Sequence, residues 1–263
     1  MSFFTVNNLS VSYGKQKILS DLSFQINDSE TIGILGANGS GKTTLLKAIC
    51  GILPHTGTCQ LEGISIENLT AKQLAKICSY IPQRSGISID LSVLEVVLMG
   101  FYPHLGLLEH PSLEMKEKAL HLIHMVGLTG KENTNYLHLS EGQKQLCILA
   151  RTLVTNSKLL LLDEPESALD FHFRYQMLRH IREWNKENHC TALISLHDPV
   201  LALNSCDSLL LLSQGHIIAT LHPQIDSLSS MEEKLCNIYG DIGLQICTNR
   251  HGKKQLVILG ESL

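Results

Sequence analysis

Short apolar runs separated by polar turns divide the chain into alternating strands and helices. Strands are predicted at residues 3–9, 23–26, 31–35, 59–61, 77–81, 158–162, 190–195 and 208–212, with another after residue 215. Helices are predicted at residues 42–49, from residue 70, at 92–99, 113–126, 140–154 and 171–188, and near residue 200. The run at 158–162 is nearly pure leucine, which is typical of a strand buried on both faces of a parallel sheet.

The order of these elements predicts the fold class. Strands alternating with helices indicate a mostly parallel sheet flanked by helices, and the early strands indicate an antiparallel β-subdomain at the N-terminus. The pattern of residues 85–156 predicts mostly helices, so this segment interrupts the alternation of strands and helices. Capping-box spacing at Ser92 with Glu95, and at Ser140 with Gln143, marks two helix starts in this segment.

Composition narrows the class of protein. The 263 residues are 44% apolar with a formal charge of −4, which fits a globular chain and argues against a general nucleic-acid partner. Eight scattered cysteines form no C-x-x-C pair, so reduced thiols in a cytosolic protein are expected. The N-terminus does not resemble a signal peptide, and no apolar run is long enough to span a bilayer, so any work at a membrane is expected to need a partner.

The most specific motif begins directly after the apolar run at 31–35. It fits the phosphate-loop pattern G-x-x-x-x-G-K-[ST], whose glycines let backbone N–H groups turn toward a nucleoside triphosphate. Lys42 would place its charge near the β- and γ-phosphates, and Thr43 would offer a hydroxyl to Mg²⁺. The residues predicted to bind nucleotide here are Gly36, Asn38, Gly39, Ser40, Gly41, Lys42, Thr43 and Thr44.

Two carboxylates follow the leucine-rich strand. Asp163 and Glu164 lie at its carboxyl end, which is the edge of a parallel sheet where ligands bind. Asp163 is predicted to hold Mg²⁺. Glu164 is predicted to orient and deprotonate the attacking water, and general-base help of this kind contributes about 10²–10⁴ in rate.

The segment Leu139-Ser140-Glu141-Gly142-Gln143 lies between these two motifs and resembles the L-S-G-G-Q signature of ATP-binding-cassette (ABC) ATPases. The resemblance spans nearly the whole chain and implies a RecA-like P-loop NTPase fold and Mg-dependent ATP hydrolysis. It implies adenine stacking on Tyr13, contact of Gln83 with Mg²⁺ and the attacking water, an interface loop at Ser167-Ala168-Leu169-Asp170, and contact of His197 with the γ-phosphate.

The resemblance also implies a partner cassette. In this family two cassettes, here expected to be identical, face head to tail. Ser140, Gly142 and Gln143 of one chain then complete the ATP site of the other. Glu141 departs from the pattern, since glycine is usual there. An acidic side chain near a triphosphate would be unfavourable unless it points away, so a modest effect on dimer affinity is expected.

A stretch following the Ser92 helix points to one branch of the family. Residues 98–104, Leu-Met-Gly-Phe-Tyr-Pro-His, are similar to a run in the importer ATPases for iron–siderophore, haem and cobalamin, as is the tail at 238–259. The resemblance implies permease subunits as partners, a substrate-binding protein acting indirectly, and a peripheral position on the cytoplasmic face of the membrane. One nucleotide-binding domain is expected, with a core at about 1–84 and 157–225, a helical subdomain at 85–156 and an extension at 226–263.

The sequence is also compatible with other functions. A soluble single-cassette ABC ATPase could act as a switch in cofactor assembly, and an importer ATPase could serve free metal ions. A third alternative is a regulatory subunit that holds ATP without hydrolysing it, which the presence of both Glu164 and His197 disfavours.

Overall fold

The computed structural model describes residues 2–83, 86–106, 108–167 and 169–260. The predicted Ala168 and the proposed boundary at Ser85 lie outside the described residues. The strands are β1 Phe4–Tyr13, β2 Gln16–Ile26, β3 Thr31–Leu35, β4 Thr56–Leu61, β5 Ile64–Ser65, β6 Cys78–Ile81, β7 Leu159–Asp163, β8 Thr191–Ser195, β9 Ser208–Ser213, β10 His216–Leu221, β11 Ile242–Thr248 and β12 Lys254–Gly260.

The α-helices alternate with the strands or cluster between β6 and β7. They are α1 Lys42–Ile49, α2 Ala71–Ile77, α3 Val93–Leu98, α4 Leu113–Met125, α5 Glu141–Leu153, α6 Phe171–Asn188, α7 Pro199–Ser205 and α8 Leu228–Tyr239. Short 3₁₀ helices occur at Ile66–Asn68, Met99–His104 and Tyr136–His138. The predicted capping boxes at Ser92 and Ser140 are confirmed at the starts of α3 and α5.

The strands form three sheets in the described part of the chain. A six-stranded sheet has the order β10-β9-β3-β8-β7-β6, in which only the edge strand β10 runs antiparallel. A four-stranded antiparallel sheet has the order β2-β1-β4-β5, and β11 pairs with β12. These arrangements confirm the predicted mostly parallel sheet and the N-terminal antiparallel sheet.

The leucine-rich strand β7 faces two separate cores. Leu160 and Leu162 pack into the core that includes α3, α4 and α5, whereas Leu159 and Leu161 pack into the core that includes α1 and the antiparallel sheet. Because successive side chains of a strand point to opposite faces, a strand covered on both faces must be apolar at every position. This explains why its sequence does not alternate.

Some element boundaries differ from the sequence-based ones. Strand β2 starts at Gln16 rather than residue 23, since register shifts in its pairing with β1 interrupt the simple alternation of apolar residues. Ile77 ends helix α2 instead of opening strand β6. Helix α8 was not predicted, although Met231 and Leu235 are buried at helical spacing.

The topology positions the candidate site. Strands β3, β7 and β8 are parallel neighbours, so the loops after Leu35, Asp163 and Ser195 meet at one edge of the sheet. This is the edge at which ligands bind in open α/β sheets. None of the helices in the described ranges is both long and apolar enough to cross a membrane.

Candidate nucleotide-binding site

The loop between β3 and α1 requires glycine at two positions. At Gly36 a β-carbon would lie 2.2 Å from the backbone oxygen of Leu212. At Gly41 it would lie 2.4 Å from the Leu19 side chain, and the backbone there has a φ of +110°. Residues other than glycine rarely adopt that conformation. The two glycines of the pattern Gly-x-x-x-x-Gly are therefore explained by close approach of neighbouring atoms at both positions and by backbone conformation at Gly41.

Helix α1 differs from the other α-helices at its N-terminus. The remaining seven α-helices each begin with a residue whose side chain accepts a backbone N–H bond, whereas Gly41 supplies no such cap. The first-turn N–H groups therefore remain available for an anion. The hydroxyl oxygen of Ser40, just before this turn, is buried and has no hydrogen-bond partner among the residues that the structure describes. Both observations fit a phosphate-binding loop.

Lys42 brings positive charge into this loop. Its Nζ donates hydrogen bonds to the carbonyl oxygens of Gly36, at 2.8 Å, and Ala37, at 3.3 Å. The residue is only 5% exposed, and this burial lowers the pKa of its ammonium group, while the charges of Glu164 and Asp163 oppose the shift. The loop carbonyls hold Lys42 where an incoming phosphate would compensate its charge.

Asp163, at the end of β7, receives three side-chain hydrogen bonds. The hydroxyls of Thr43 and Ser195 donate to its Oδ1 at 2.9 Å and 2.8 Å, and the hydroxyl of Tyr80 donates to Oδ2 at 3.2 Å. The carboxylate of Asp163 and the hydroxyl of Thr43 are hard oxygen ligands, the type that Mg²⁺ prefers. Their proximity fits the predicted magnesium site.

Glu164 is held from several directions. Its backbone is left-handed, with a φ of +48°, and its N–H donates to the carbonyl and hydroxyl oxygens of Ser195. Its Oε2 accepts a hydrogen bond from Nε2 of Gln83 at 2.7 Å. Its Oε1 lies 2.7 Å from Nε2 of His197. Three residues predicted to act in catalysis are thus brought together around one carboxylate.

The structure adds residues that sequence reasoning missed. Tyr80 and Ser195 both contact Asp163. Both lie near the carboxyl ends of predicted strands, and this position could have identified them as site residues. Glu166 is 2% exposed, and one of its oxygens accepts the N–H of His197 at 3.3 Å. Burial raises the pKa of Glu166 to about 7. No sequence pattern distinguished this carboxyl from an ordinary turn residue.

Other predicted site residues lie apart from this cluster. Tyr13 is 51% exposed at the end of β1, Asp170 is the exposed N-cap of α6, and Ser140 caps α5. Within the described ranges, none of these three side chains has a hydrogen bond or ion pair to the Asp163–Glu164 cluster. Gly142 and Gln143 lie in the first turn of α5, Asn38 and Gly39 lie in the loop before α1, and Thr44 lies in the first turn of α1.

Glu141 points its charge toward its own helix. Its Oε1 accepts a hydrogen bond from Lys144 at 2.7 Å, and this pair is exposed on the Glu141 side. The side chain is therefore neutralised locally at the start of α5.

A separate cavity of about 770 Å³ lies between α6, α7 and β12. None of the predicted nucleotide-motif residues lines it.

Comparisons with known proteins agree with this geometry. Residues 19–167 match the ABC transporter family model, which covers more than half of the chain. The chain belongs to the ABC transporter family, and it is an ATPase domain of that family.

Two curated relatives and one solved structure illustrate the likeness. The hemin import ATP-binding protein HmuV of Deinococcus radiodurans is 36% identical over 225 residues, covering 84% of each chain. A probable iron chelatin transport ATP-binding protein of Helicobacter pylori is 36% identical over 198 residues, covering 74% of this chain and 78% of the relative. A solved chain from a transporter described as of metal-chelate type, in an inward-facing conformation, has a TM-score of 0.83 and 24% sequence identity to this chain. The likeness covers 100% of this chain and 99% of the solved one, and it supports the fold.

Proposed function

We propose that this chain is the ATP-hydrolysing subunit of an importer for a metal chelate such as haem, an iron–siderophore or cobalamin. The observation that carries the catalytic part is the Glu164 carboxylate held between Gln83 and His197 next to the phosphate loop. The relatives named for hemin and iron chelatin transport support the choice of cargo.

Glu164 has the geometry of a general base. Its two oxygens are held by different partners, so the orientation of the carboxylate is fixed. In this proposal Glu164 orients and deprotonates the attacking water, His197 contacts the γ-phosphate, and Gln83 positions the water. General-base catalysis of this kind contributes about 10²–10⁴ in rate.

The hydroxyl oxygen of Thr43 and the carboxylate of Asp163 suit a magnesium ion. Thr43 and Asp163 would hold it, with Gln83 nearby. Bound Mg²⁺ would neutralise charge on the β- and γ-phosphates. Lys42 would contribute a second positive charge from within the loop, where its Nζ is now held by the carbonyls of Gly36 and Ala37.

A second, identical cassette would complete the site. Ser140 and Asp170 are exposed and lie outside the hydrogen-bond network of their own chain's Asp163 and Glu164. This is what a head-to-tail dimer requires, because these residues would then contact ATP bound to the partner. Ser140, Gly142 and Gln143 form the start of α5. The Ser140 cap accepts only the N–H of Gln143, so the earlier N–H groups of this helix N-terminus would face the γ-phosphate. Tyr13, exposed at the end of β1, would stack on adenine.

The helical subdomain, proposed to span 85–156, would receive the permease. Several large apolar side chains between residues 89 and 113 are exposed: Ile89, Tyr102, Leu108 and Leu113. Apolar side chains that adjoin on a surface mark interaction sites, and in this proposal these four contribute to the face that meets the permease. Contact with permease subunits would hold the cassette on the cytoplasmic face of the membrane, and a substrate-binding protein would select the chelate on the other side.

The 3₁₀ helix Met99–His104 gives this surface a rigid base. A β-carbon on Gly100 would lie 2.1 Å from the backbone oxygen of Arg151 in α5. The Thr155 hydroxyl donates to the Gly100 carbonyl at 2.9 Å, and the His104 ring bonds the Thr155 carbonyl at 3.1 Å. Motion of Tyr102 would therefore be transmitted to α5, whose N-terminus carries Ser140.

The proposal is tested by capture of the membrane partner. A tagged Glu164→Gln variant, loaded with ATP and Mg²⁺, is purified from gently solubilised membranes, and co-purifying proteins are identified by mass spectrometry. We expect a polytopic permease whose recovery depends on ATP. A matched Gly100→Ala variant should fold less tightly against α5 and recover less permease.

The cargo is tested after the permease is known. The complex is reconstituted in vesicles with the companion binding protein, and haem, ferric siderophore and cobalamin are compared for stimulation of ATP hydrolysis.

In the capture experiment, recovery of soluble partners only, with the tagged chain absent from the membrane fraction, would overturn the importer assignment in favour of an assembly switch.

A further inference from the structure

Three side chains with metal-binding atoms converge in the N-terminal antiparallel sheet, away from the phosphate loop. His55 precedes β4, Cys59 lies within β4, and Glu67 lies in the following 3₁₀ helix. Their ligand atoms all lie within 4.8 Å of one another, and in the described ranges this is the single set of three such side chains found. Cys59 is fully buried and the His55 side chain is 7% exposed, whereas Glu67 is an exposed residue that closes the cluster on its solvent side.

The hydrogen bonding of His55 leaves one nitrogen directed at this cluster. Its Nδ1 lies 3.2 Å from the carbonyl oxygen of Thr56. A carbonyl oxygen can only accept, so Nδ1 donates this hydrogen bond and Nε2 is the ring nitrogen left for a metal ion. That Nε2 lies 3.8 Å from Oε1 of Glu67. A divalent ion between these two atoms would bond to both of them, with the histidine bound as the neutral imidazole.

The carboxylate of Glu67 is itself held in place. Its Oε1 accepts the backbone N–H of Cys59 at 2.6 Å, and its Oε2 accepts the hydroxyl of Ser65. Such outer contacts orient ligands in metal sites, as does a backbone carbonyl bound to the far nitrogen of a histidine. Both devices are present here, around His55 and around Glu67.

The spacing suits a small tetrahedral ion. With bonds of about 2.0–2.1 Å to nitrogen and oxygen, tetrahedral geometry separates these two ligand atoms by about 3.4 Å. The observed 3.8 Å between Nε2 and Oε1 is close to this value, so a small rotation of either side chain would close the site. A nitrogen, a sulfur and an oxygen ligand together are typical of Zn²⁺ rather than Mg²⁺ or Ca²⁺.

We propose that His55, Cys59 and Glu67 form a binding site for Zn²⁺ or a divalent ion of similar ligand preference. The ion would bond to Nε2 of His55, Sγ of Cys59 and a carboxylate oxygen of Glu67, with water in the fourth position. The Cys59 thiol would lose its proton to solvent as the Zn–S bond forms. The ion would join β4 to the 3₁₀ helix that follows it, and the site does not depend on the transport role.

The test uses the full chain after metal removal with a chelator. Zn²⁺ binding is measured by competition with a chromophoric chelator, and Co²⁺ is then added as a spectroscopic substitute. We expect one tight site per chain and a near-ultraviolet absorption band from charge transfer between the Cys59 thiolate and cobalt. Loss of a second-shell contact costs 10–100-fold in metal affinity, so His55→Ala or Cys59→Ala should cost at least about that much.

Two controls separate this site from other metal-binding groups. Cys190→Ala removes a buried thiol elsewhere and should leave both affinity and absorption band unchanged. Glu164→Gln alters a carboxylate beside His197 in the nucleotide site and should also leave the band unchanged. Circular dichroism establishes that each variant is folded. A band that persists in Cys59→Ala, or a folded wild-type chain that retains no Zn²⁺ against the chelator, would overturn the proposal.

Discussion

The Nε2 atom of His197 lies 2.7 Å from the Oε1 atom of Glu164. The two residues follow neighbouring parallel strands, β8 and β7, so the sheet itself brings them together. In this arrangement the histidine side chain, 44% exposed, covers a carboxylate that is only 10% exposed. In the proposed function His197 contacts the γ-phosphate, so this pair would link phosphate contact to the proposed base.

Replacement of that base should stop turnover and leave nucleotide binding intact. Glu164→Gln keeps a side chain of the same shape but cannot accept a proton from water, so the rate of ATP hydrolysis should fall by about 10²–10⁴. Phosphate release and binding of a fluorescent ATP analogue are measured in parallel. Glu141→Gln, which changes an exposed carboxylate, is the control. Normal turnover in Glu164→Gln would remove Glu164 from the proposed role.

Gly41 should tolerate a side chain less well than Gly39. Both residues have positive φ, but a β-carbon would meet Leu19 at 2.4 Å at Gly41 and nothing within 4 Å at Gly39. Overpacking of this kind costs about 1–3 kcal/mol, so Gly41→Ala should lower the free energy of unfolding by about that much more than Gly39→Ala. Urea unfolding without nucleotide measures the difference. Adding Leu19→Ala should reduce the difference between the two variants, since it removes the atom that clashes.

Glu166 should make stability depend on pH. Burial raises its pKa from an ordinary 4.5 to about 7 in the folded chain. Between these values the unfolded chain has released the proton and the folded chain has kept it, so the free energy of unfolding falls as pH rises from about 4.5 to 7 and then levels off. The limit of this loss is about 3 kcal/mol.

The comparison variant for this prediction is Glu166→Gln, which cannot titrate. Urea unfolding of both proteins is measured between pH 5 and 8. We expect the free energy of unfolding of the wild type to fall relative to that of Glu166→Gln as pH rises. Other titrating groups are the same in both proteins, so their effects cancel when one free energy is subtracted from the other. A constant difference across this range would show that Glu166 has no raised pKa in the folded chain.

The unusual Glu141 should have little effect on ATP-driven dimerisation. Its carboxylate is bound to Lys144 at the exposed start of α5, and exposed ion pairs contribute about 0–1 kcal/mol. Glu141→Gln, placed in the Glu164→Gln background, should change the ATP-dependent dimer dissociation constant by less than about fivefold. Analytical ultracentrifugation measures this constant, with Lys144→Ala as the companion variant. A much tighter dimer would mean that Glu141 faces the partner's triphosphate.

Local sequence was a good guide where one physical requirement acts on consecutive residues. The phosphate loop is readable because its glycines meet steric limits at Gly36 and Gly41. The capping boxes at Ser92 and Ser140 depend on residues only three positions apart. The unbroken leucines of β7 indicated burial on both faces, and both faces are buried. Boundaries such as the start of β2 were missed, because bulges in its pairing with β1 are decided by the neighbouring strand.

The sequence by itself determined the alternating strands and helices, the phosphate loop and the carboxylate pair after β7, since each is encoded by neighbouring residues. Only the tertiary structure decided that Gln83 and His197 hold the two oxygens of Glu164, that Glu166 is buried, and that Glu67 lies against His55 and Cys59. These properties arise from side chains that meet across strands, where burial and distance set charge and hydrogen bonding. No local pattern of residues records those distances.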